Sequence, residues 1–216
     1  MAIRIGIYDF FAYTIPGGLM ILLGLAGVYC WVWPEVWTIV LTLNTLGVFL
    51  GIIAAYLTGL IMEPVFAKWG EIYTKKDFRA DLIANIQKRN PALNISLNPA
   101  EWAIWFASIR RESLDLSLEI DRWMAVAKML RGVSFALLLG GLLCIFAILS
   151  GRISWAWLPT SLLLFALAFL AVKQSLRFRA SFFLVIFETI IARQEPFSLG
   201  TKFEKNQSTN LTKKED

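Results

Sequence analysis

Residues 36–62 read VWTIVLTLNTLGVFLGIIAAYLTGLIM, a run that contains no charged side chain. In an α-helix, about 20 apolar residues are enough to cross a hydrocarbon core of about 30 Å. Comparable runs occupy residues 10–33, 133–150 and 153–172. Because these runs are continuous in Leu, Ile, Ala and Gly and show no strand-like alternation, we predict four transmembrane helices.

The composition agrees with a membrane protein. Hydrophobic residues make up 57% of the 216 residues and charged residues 17%, whereas soluble domains have about 45–50% and about 25%. This excess excludes a disordered chain and disfavours a soluble enzyme. Histidine is absent, which removes the usual general base and metal ligand. Cys30 and Cys144 lie in apolar runs, without the spacing of a disulfide framework or a zinc site.

Short turns at residues 33–36 and 151–153 join the predicted helices into two hairpins on either side of a polar middle segment. Of the 21 Lys and Arg residues, only Arg152 lies in a turn. Because basic residues collect on the cytoplasmic side, we predict that both termini and the middle segment are cytoplasmic. Trp and Tyr residues flank both turns, as is typical of a membrane–water interface.

These patterns divide the chain into five predicted segments. A first hairpin is followed by a cytoplasmic helical insert and a second hairpin. A further helix then extends the fourth span or lies in the interface, and a disordered tail ends the chain. The bounds are 1–62, 63–132, 133–173, 174–198 and 199–216. The predicted fold class is an all-α integral membrane protein with four transmembrane helices as two hairpins plus a cytoplasmic helical domain.

Small residues recur at every fourth position in the second and third predicted spans. This spacing places them on one helix face, where they let two backbones approach closely in lipid. The residues are Gly47, Gly51, Ala55 and Gly59 in the second span and Ala136 and Gly140 in the third. Either these rows pack the helices of one subunit together, or at least one of them forms an interface between subunits.

Two polar or helix-breaking features fall within the first two spans. Pro16-Gly17-Gly18 predicts either a helix that starts near the proline or a hinge, because proline removes a backbone donor. Asn44 lies near the centre of the second span. We expect its amide to hydrogen-bond a neighbouring helix rather than to line a pore.

A helix start is predicted at Asn98-Pro99-Ala100-Glu101, since asparagine caps helices and proline suits the first turn. No helix breaker follows before Gly132, so we predict one helix that continues into the third span. Its apolar side chains follow a heptad-like seam, which includes Trp102, Ile109, Leu116, Ile120 and Trp123. The seam either packs on a helix at residues 77–88 and on the C-terminal segment, or mediates self-association.

The sequence contains no phosphate-binding loop, no HExxH and no CxxC pattern. We therefore predict that the protein is not an enzyme and holds no cofactor and no metal. Asp9 and Glu63 are the carboxylates nearest to the predicted interface and would serve the alternative of a lipid-modifying enzyme.

Four arginines are candidates for contact with an anionic ligand or a lipid headgroup, because guanidinium groups suit phosphates. They are Arg110, Arg111, Arg177 and Arg179. Nothing in their arrangement would distinguish one base from another, so we expect no sequence-specific binding of nucleic acid.

Residues 8–18 read YDFFAYTIPGG and resemble the start of small four-span bacterial inner-membrane proteins. The layout of two hairpins around a cytoplasmic helical insert is similar to that of membrane effectors in phage-defence systems. The resemblance implies an oligomeric pore or anchor in the bacterial inner (cytoplasmic) membrane that responds to a cytoplasmic partner. It carries over no functional residue.

These features together predict a non-enzymatic multi-pass protein that contacts membrane lipids, forms a homo-oligomer and is controlled by a cytoplasmic protein partner in antiviral defence. Two alternatives stay open. One is a lipid-handling enzyme that acts at the membrane interface, and the other is a passive membrane anchor for a soluble enzyme.

Overall fold

The computed structural model describes residues 7–32, 34–42, 44–74, 78–89 and 98–194. All regular secondary structure in this part of the chain is helical. The α-helices are α1 Ile7–Trp31, α2 Val36–Leu41, α3 Thr45–Ile72, α4 Phe78–Arg89, α5 Trp102–Glu112, α6 Leu114–Leu149 and α7 Leu158–Gln194. Short 3-10 turns precede α5 and α7 at Pro99–Glu101 and Trp155–Trp157. The predicted disordered tail, residues 199–216, lies outside the described residues.

Four helical segments are long and apolar enough to cross a membrane, which confirms the predicted all-helical, multi-pass class. They are Ile7–Trp31, Thr45–Ile72, Leu114–Leu149 and Trp155–Ala192. Many large apolar side chains are exposed on α3 and on the first half of α7. A soluble monomer rarely exposes apolar surface of this extent, so the exposure agrees with helices that face lipid.

The second span differs from its prediction, because residues 36–62 do not form one helix. The short helix α2 ends at Leu41, and α3 begins at Thr45. Asn44 caps α3, since its backbone is extended and its side-chain oxygen accepts a hydrogen bond from the Gly47 amide at 3.0 Å. The expected bond from Asn44 to a neighbouring helix is therefore wrong. The side chain satisfies a backbone donor that would otherwise lack a partner at the helix start.

Pro16 does not start α1, so the predicted helix start near the proline is wrong, whereas the predicted hinge stays a prediction. The proline is buried in the interior of a helix that runs from Ile7 to Trp31. Membrane helices tolerate an internal proline when neighbouring helices hold the freed backbone in place. Here α6 provides that support, because a Cβ added to Gly132 would lie 2.6 Å from the Pro16 Cβ.

The predicted long helix after Asn98 is interrupted once. The helix α5 ends at Glu112, and Ser113 has an extended backbone with φ −137° and ψ 105°. The Ser113 hydroxyl accepts a hydrogen bond from the Leu116 amide at 3.3 Å and so caps α6. The helix α6 then passes through Gly132 without a break, as predicted, and reaches Leu149.

The connection between α6 and α7 depends on local backbone geometry. Gly151 adopts a φ of +72°, a conformation that residues with a Cβ rarely adopt. The Ser154 side chain then accepts a hydrogen bond from the Ala156 amide at 3.3 Å and caps the turn Trp155–Trp157. The helix α7 continues through residues 174–194, the segment for which the sequence left two alternatives.

The chain falls into two compact units, the first made of Met1–Phe78 and Leu118–Phe182 and the second of Arg79–Ser117 and Phe183–Asp216. Two of the predicted segment bounds, at residues 132/133 and 173/174, fall inside the uninterrupted helices α6 and α7.

The helix α6 is the most enclosed span of the first unit. In its most apolar window 39% of the residues are buried, against 11% in α3. Two buried hydroxyls attach α7 to it, since Ser161 Oγ donates to the Gly141 carbonyl at 3.0 Å and Ser175 Oγ donates to the Ala127 carbonyl at 2.7 Å.

Aromatic and aliphatic side chains from α4, α5 and the last part of α7 form the core of the second unit. Trp102 and Trp105 of α5 make edge-to-face contacts with Phe183 and Phe187 of α7, with ring centroids 5.5 and 5.8 Å apart. The Arg79 guanidinium of α4 lies over the rings of Trp102 and Phe183. Each such cation–π contact contributes about 0.5–1 kcal/mol at exposed sites.

Candidate functional site

An ion pair joins α3 to α6 near one end of their apolar runs. Arg131 Nη2 donates to Glu63 Oε1 at 2.5 Å, and the two side chains are only 17% and 24% exposed. The arginine stem lies against Gly70, where an added Cβ would overlap the Arg131 Cδ. Gly70 and Glu63 are seven residues apart, two helical turns, so the Arg131 side chain runs along one face of α3.

A second cation of α6 lies beside this pair. Lys128 Nζ is 3.5 Å from the Tyr13 hydroxyl and 5.8 Å from the centre of the Tyr13 ring. Nearby, Trp69 Nε1 donates to Ser134 Oγ at 3.0 Å. This group of residues, which we call the α1/α3/α6 polar cluster, therefore links three helices through polar side chains.

The cluster weakens Glu63 as a catalytic candidate, and it does not include Asp9. The Glu63 carboxylate is already held by Arg131, and a base or nucleophile must be free to engage a substrate. A largely buried ion pair between α3 and α6 is instead expected to hold these two helices in a fixed register. Sequence reasoning noted Glu63 but did not pair it with Arg131, since the pairing depends on the register between two helices distant in the chain.

Glycines bring α1 and α3 into backbone contact beside the cluster. A Cβ added to Gly17 would overlap the Ala55 carbonyl oxygen, and one added to Gly59 would overlap the Tyr13 carbonyl oxygen. Ala55 and Gly59 of the predicted row on α3 therefore pack against α1 within the same chain. Gly51 differs, because it is exposed and an added Cβ would meet nothing within 4 Å.

The predicted row on the third span also packs within the chain. Ala136 is buried. A Cβ on Gly140 would lie 3.1 Å from Leu23 Cδ2 of α1 and 3.7 Å from Leu164 Cδ1 of α7. Of the small residues predicted for helix packing or an oligomer interface, Gly51 is the one that is exposed, and Gly47 beside it is half-buried.

The predicted seam consists of buried or half-buried side chains in both units. Ile109 and Ile120 are fully buried, and Leu116 is half-buried. Trp102 contacts Phe183 in the second unit, and Trp123 stacks on Phe178 in the first with ring centroids 5.4 Å apart. Trp102 and Trp123 of the seam therefore have aromatic partners on α7 within the same chain.

The four candidate arginines are divided between the two units. Arg110 and Arg111 are exposed in the last turn of α5, in the second unit. Their positive charges interact favourably with the negative end of the helix dipole there. Arg177 and Arg179 belong to the first unit. Arg177 Nη1 lies 3.4 Å from Gln174 Oε1, and Arg179 Nη1 donates to Thr74 Oγ1 at 3.2 Å.

Within the described ranges, no group of three or more Cys, Asp or Glu residues is arranged to hold a metal ion. The comparisons with known proteins add no relative. No protein-family model, no curated protein and no solved structure matches the chain.

Proposed function

We propose that this chain is a non-enzymatic, multi-pass protein of the bacterial inner membrane that assembles into a homo-oligomer. The proposal rests on the observation that only part of the small-residue row of α3 is packed within the chain. Its Ala55–Gly59 half packs on α1, whereas Gly51 and the large apolar side chains around it are exposed. Small residues at a spacing of four favour close helix association in lipid, so a second copy is the expected neighbour of Gly47 and Gly51.

The orientation that we propose places both termini and the middle segment in the cytoplasm, with the two spans on each side of it arranged as hairpins. Contacts between α1 and α3 and the hydroxyl bonds between α6 and α7 support this pairing of spans. The absence of Lys and Arg from the turn at residues 33–36 supports the orientation.

The role that we propose is a pore or membrane effector under the control of a cytoplasmic partner, which is the role implied by the resemblance to phage-defence effectors. The second unit exposes the apolar side chains of Ile104 and Leu114 as well as the charged Arg110 and Arg111. Such a mixed surface is typical of partner contacts. The lipid-handling enzyme is less favoured, because Glu63 is engaged by Arg131.

Cysteine cross-linking in native membranes tests the oligomer. In a chain with Cys30 and Cys144 replaced by Ala, Gly51→Cys should form a disulfide-linked dimer on mild oxidation. The control Ala55→Cys should stay monomeric, because Ala55 is buried against α1. A monomeric Gly51→Cys variant, or equal cross-linking of both variants, would contradict the proposed interface.

Vesicle leakage separates the pore from the passive anchor. Protein reconstituted into dye-loaded vesicles should release the dye if the oligomer forms a pore. Retention of dye by vesicles that contain the cross-linked oligomer would instead favour the anchor.

A further inference from the structure

The contact between α1 and α6 differs between the two ends of the span. Near the polar cluster, Pro16 lies so near Gly132 that a Cβ there would come within 2.6 Å. Further along α1, a Cβ on Gly27 would meet only the Leu143 side chain, at 3.8 Å. A leucine side chain, and no backbone atom, is therefore the neighbour of α1 at this position.

A cleft of about 330 Å³ lies between α1, α6 and α7. Its walls include Leu22 and Ala26 of α1, Leu137 of α6 and Leu164 of α7, and every lining residue is Leu, Ala or Gly. We call it the α1/α6/α7 cleft. All three helices belong to candidate spans, so the medium around its opening is hydrocarbon rather than water.

The cleft is limited at one end of the span. There the Pro16–Gly132 contact closes the space between α1 and α6. The cleft is therefore a recess between helices, unlike the exposed surface of α3.

We propose that the α1/α6/α7 cleft binds one acyl chain of a bilayer phospholipid. Its volume is at least twice that of an engineered apolar cavity of about 150 Å³ that stays dry and binds benzene. An empty cleft would lose the dispersion contacts that its wall atoms make with an occupant. Since no polar side chain lines the cleft, recognition depends on the hydrocarbon chain and is independent of the headgroup.

Photolabelling of the full-length protein in phosphatidylcholine nanodiscs tests this site. The probe is a phosphatidylcholine that carries a diazirine in the middle of one acyl chain, and adducts are mapped by peptide mass spectrometry. Peptides that contain Leu22, Ala26 and Leu164 should carry several-fold more adduct than the exposed face of α3 around Phe49. Equal labelling of both surfaces would overturn the proposal.

Two variants sharpen the test. Ala26→Phe fills the cleft and should lower labelling of its walls several-fold. The matched control Ala166→Phe changes an exposed position of α7 that does not line the cleft, and it should leave that labelling unchanged. Unchanged labelling in Ala26→Phe would overturn the proposal. If that variant fails to fold, Ala26→Leu is the smaller filling substitution and should give a partial loss.

Competition with unlabelled lipids tests whether the headgroup matters. Phosphatidylcholine and phosphatidylglycerol with the same acyl chains should reduce labelling of the cleft equally. A clear preference for either lipid would contradict recognition through the hydrocarbon chain alone.

Discussion

At the scale of single residues, the Glu63–Arg131 pair is the most consequential polar contact in the described spans. Both side chains are largely removed from solvent, and removing one partner of such a pair leaves a poorly solvated charge. Arg131 also depends on Gly70, whose missing side chain provides the space for the arginine stem. Three residues on two helices therefore act together.

A double-mutant cycle measures this contact. Arg131→Ala should lower the free energy of unfolding by about 1.5–3 kcal/mol, because a hydrogen bond to a charged group is lost. Glu63→Ala should have a similar effect, and the double variant should be more stable than the sum of the two losses predicts. The measurement is thermal unfolding in one detergent, followed by tryptophan fluorescence. Strictly additive losses would show that the pair contributes no coupling energy.

At the scale of helices, capping side chains and glycine contacts decide where helices end and which faces meet. Asn44 and Ser113 each interrupt a segment that was predicted as one helix, because each supplies a side-chain oxygen to the first turn of the following helix. Gly17 and Gly59 allow the backbones of α1 and α3 to touch. A single missing methyl group at either position thus determines how closely two spans pack.

Alanine substitutions at these glycines should separate packed positions from open ones. Gly17→Ala and Gly59→Ala force a Cβ into a neighbouring carbonyl, and overpacking of this kind costs about 1–3 kcal/mol. Gly24→Ala is the matched control, because its Cβ would enter open space and alanine favours a helix by about 1 kcal/mol over glycine. The melting temperature in detergent should fall for the first two variants and stay level or rise for the third. A similar fall for all three would contradict the described α1–α3 contact.

At the scale of the whole molecule, apolar surface and basic residues are distributed separately. The exposed apolar side chains concentrate on the spans, whereas Lys and Arg avoid the turn at residues 33–36 and occur once, at Arg152, in the turn between α6 and α7. This distribution is typical of a protein whose topology is set by positive charge on the cytoplasmic side. The side of the membrane on which each turn lies can be measured directly.

Cysteine accessibility in intact cells tests the topology. In the chain without native cysteines, Glu35→Cys and Arg152→Cys should react with a membrane-impermeant maleimide added from outside. Lys88→Cys, an exposed position of α4, should react only after the cells are permeabilised. The opposite pattern would reverse the proposed orientation.

The sequence by itself determined the class of the protein, the existence of four apolar helices and their approximate positions. Apolarity over about 20 residues is a local property of the chain, so it can be recognised without knowledge of any neighbour. The helix start at Asn98 and the continuity of α6 through Gly132 were accessible for the same reason.

Only the tertiary structure decided which surfaces of these helices are used. The pairing of Glu63 with Arg131, the packing of Ala55 and Gly59 but not Gly51, and the α1/α6/α7 cleft all depend on the register between segments far apart in the chain. Lipid provides no hydrophobic force that selects one register from the apolar pattern. Steric fit and a few polar contacts therefore make the choice, and these appear only once the helices are packed.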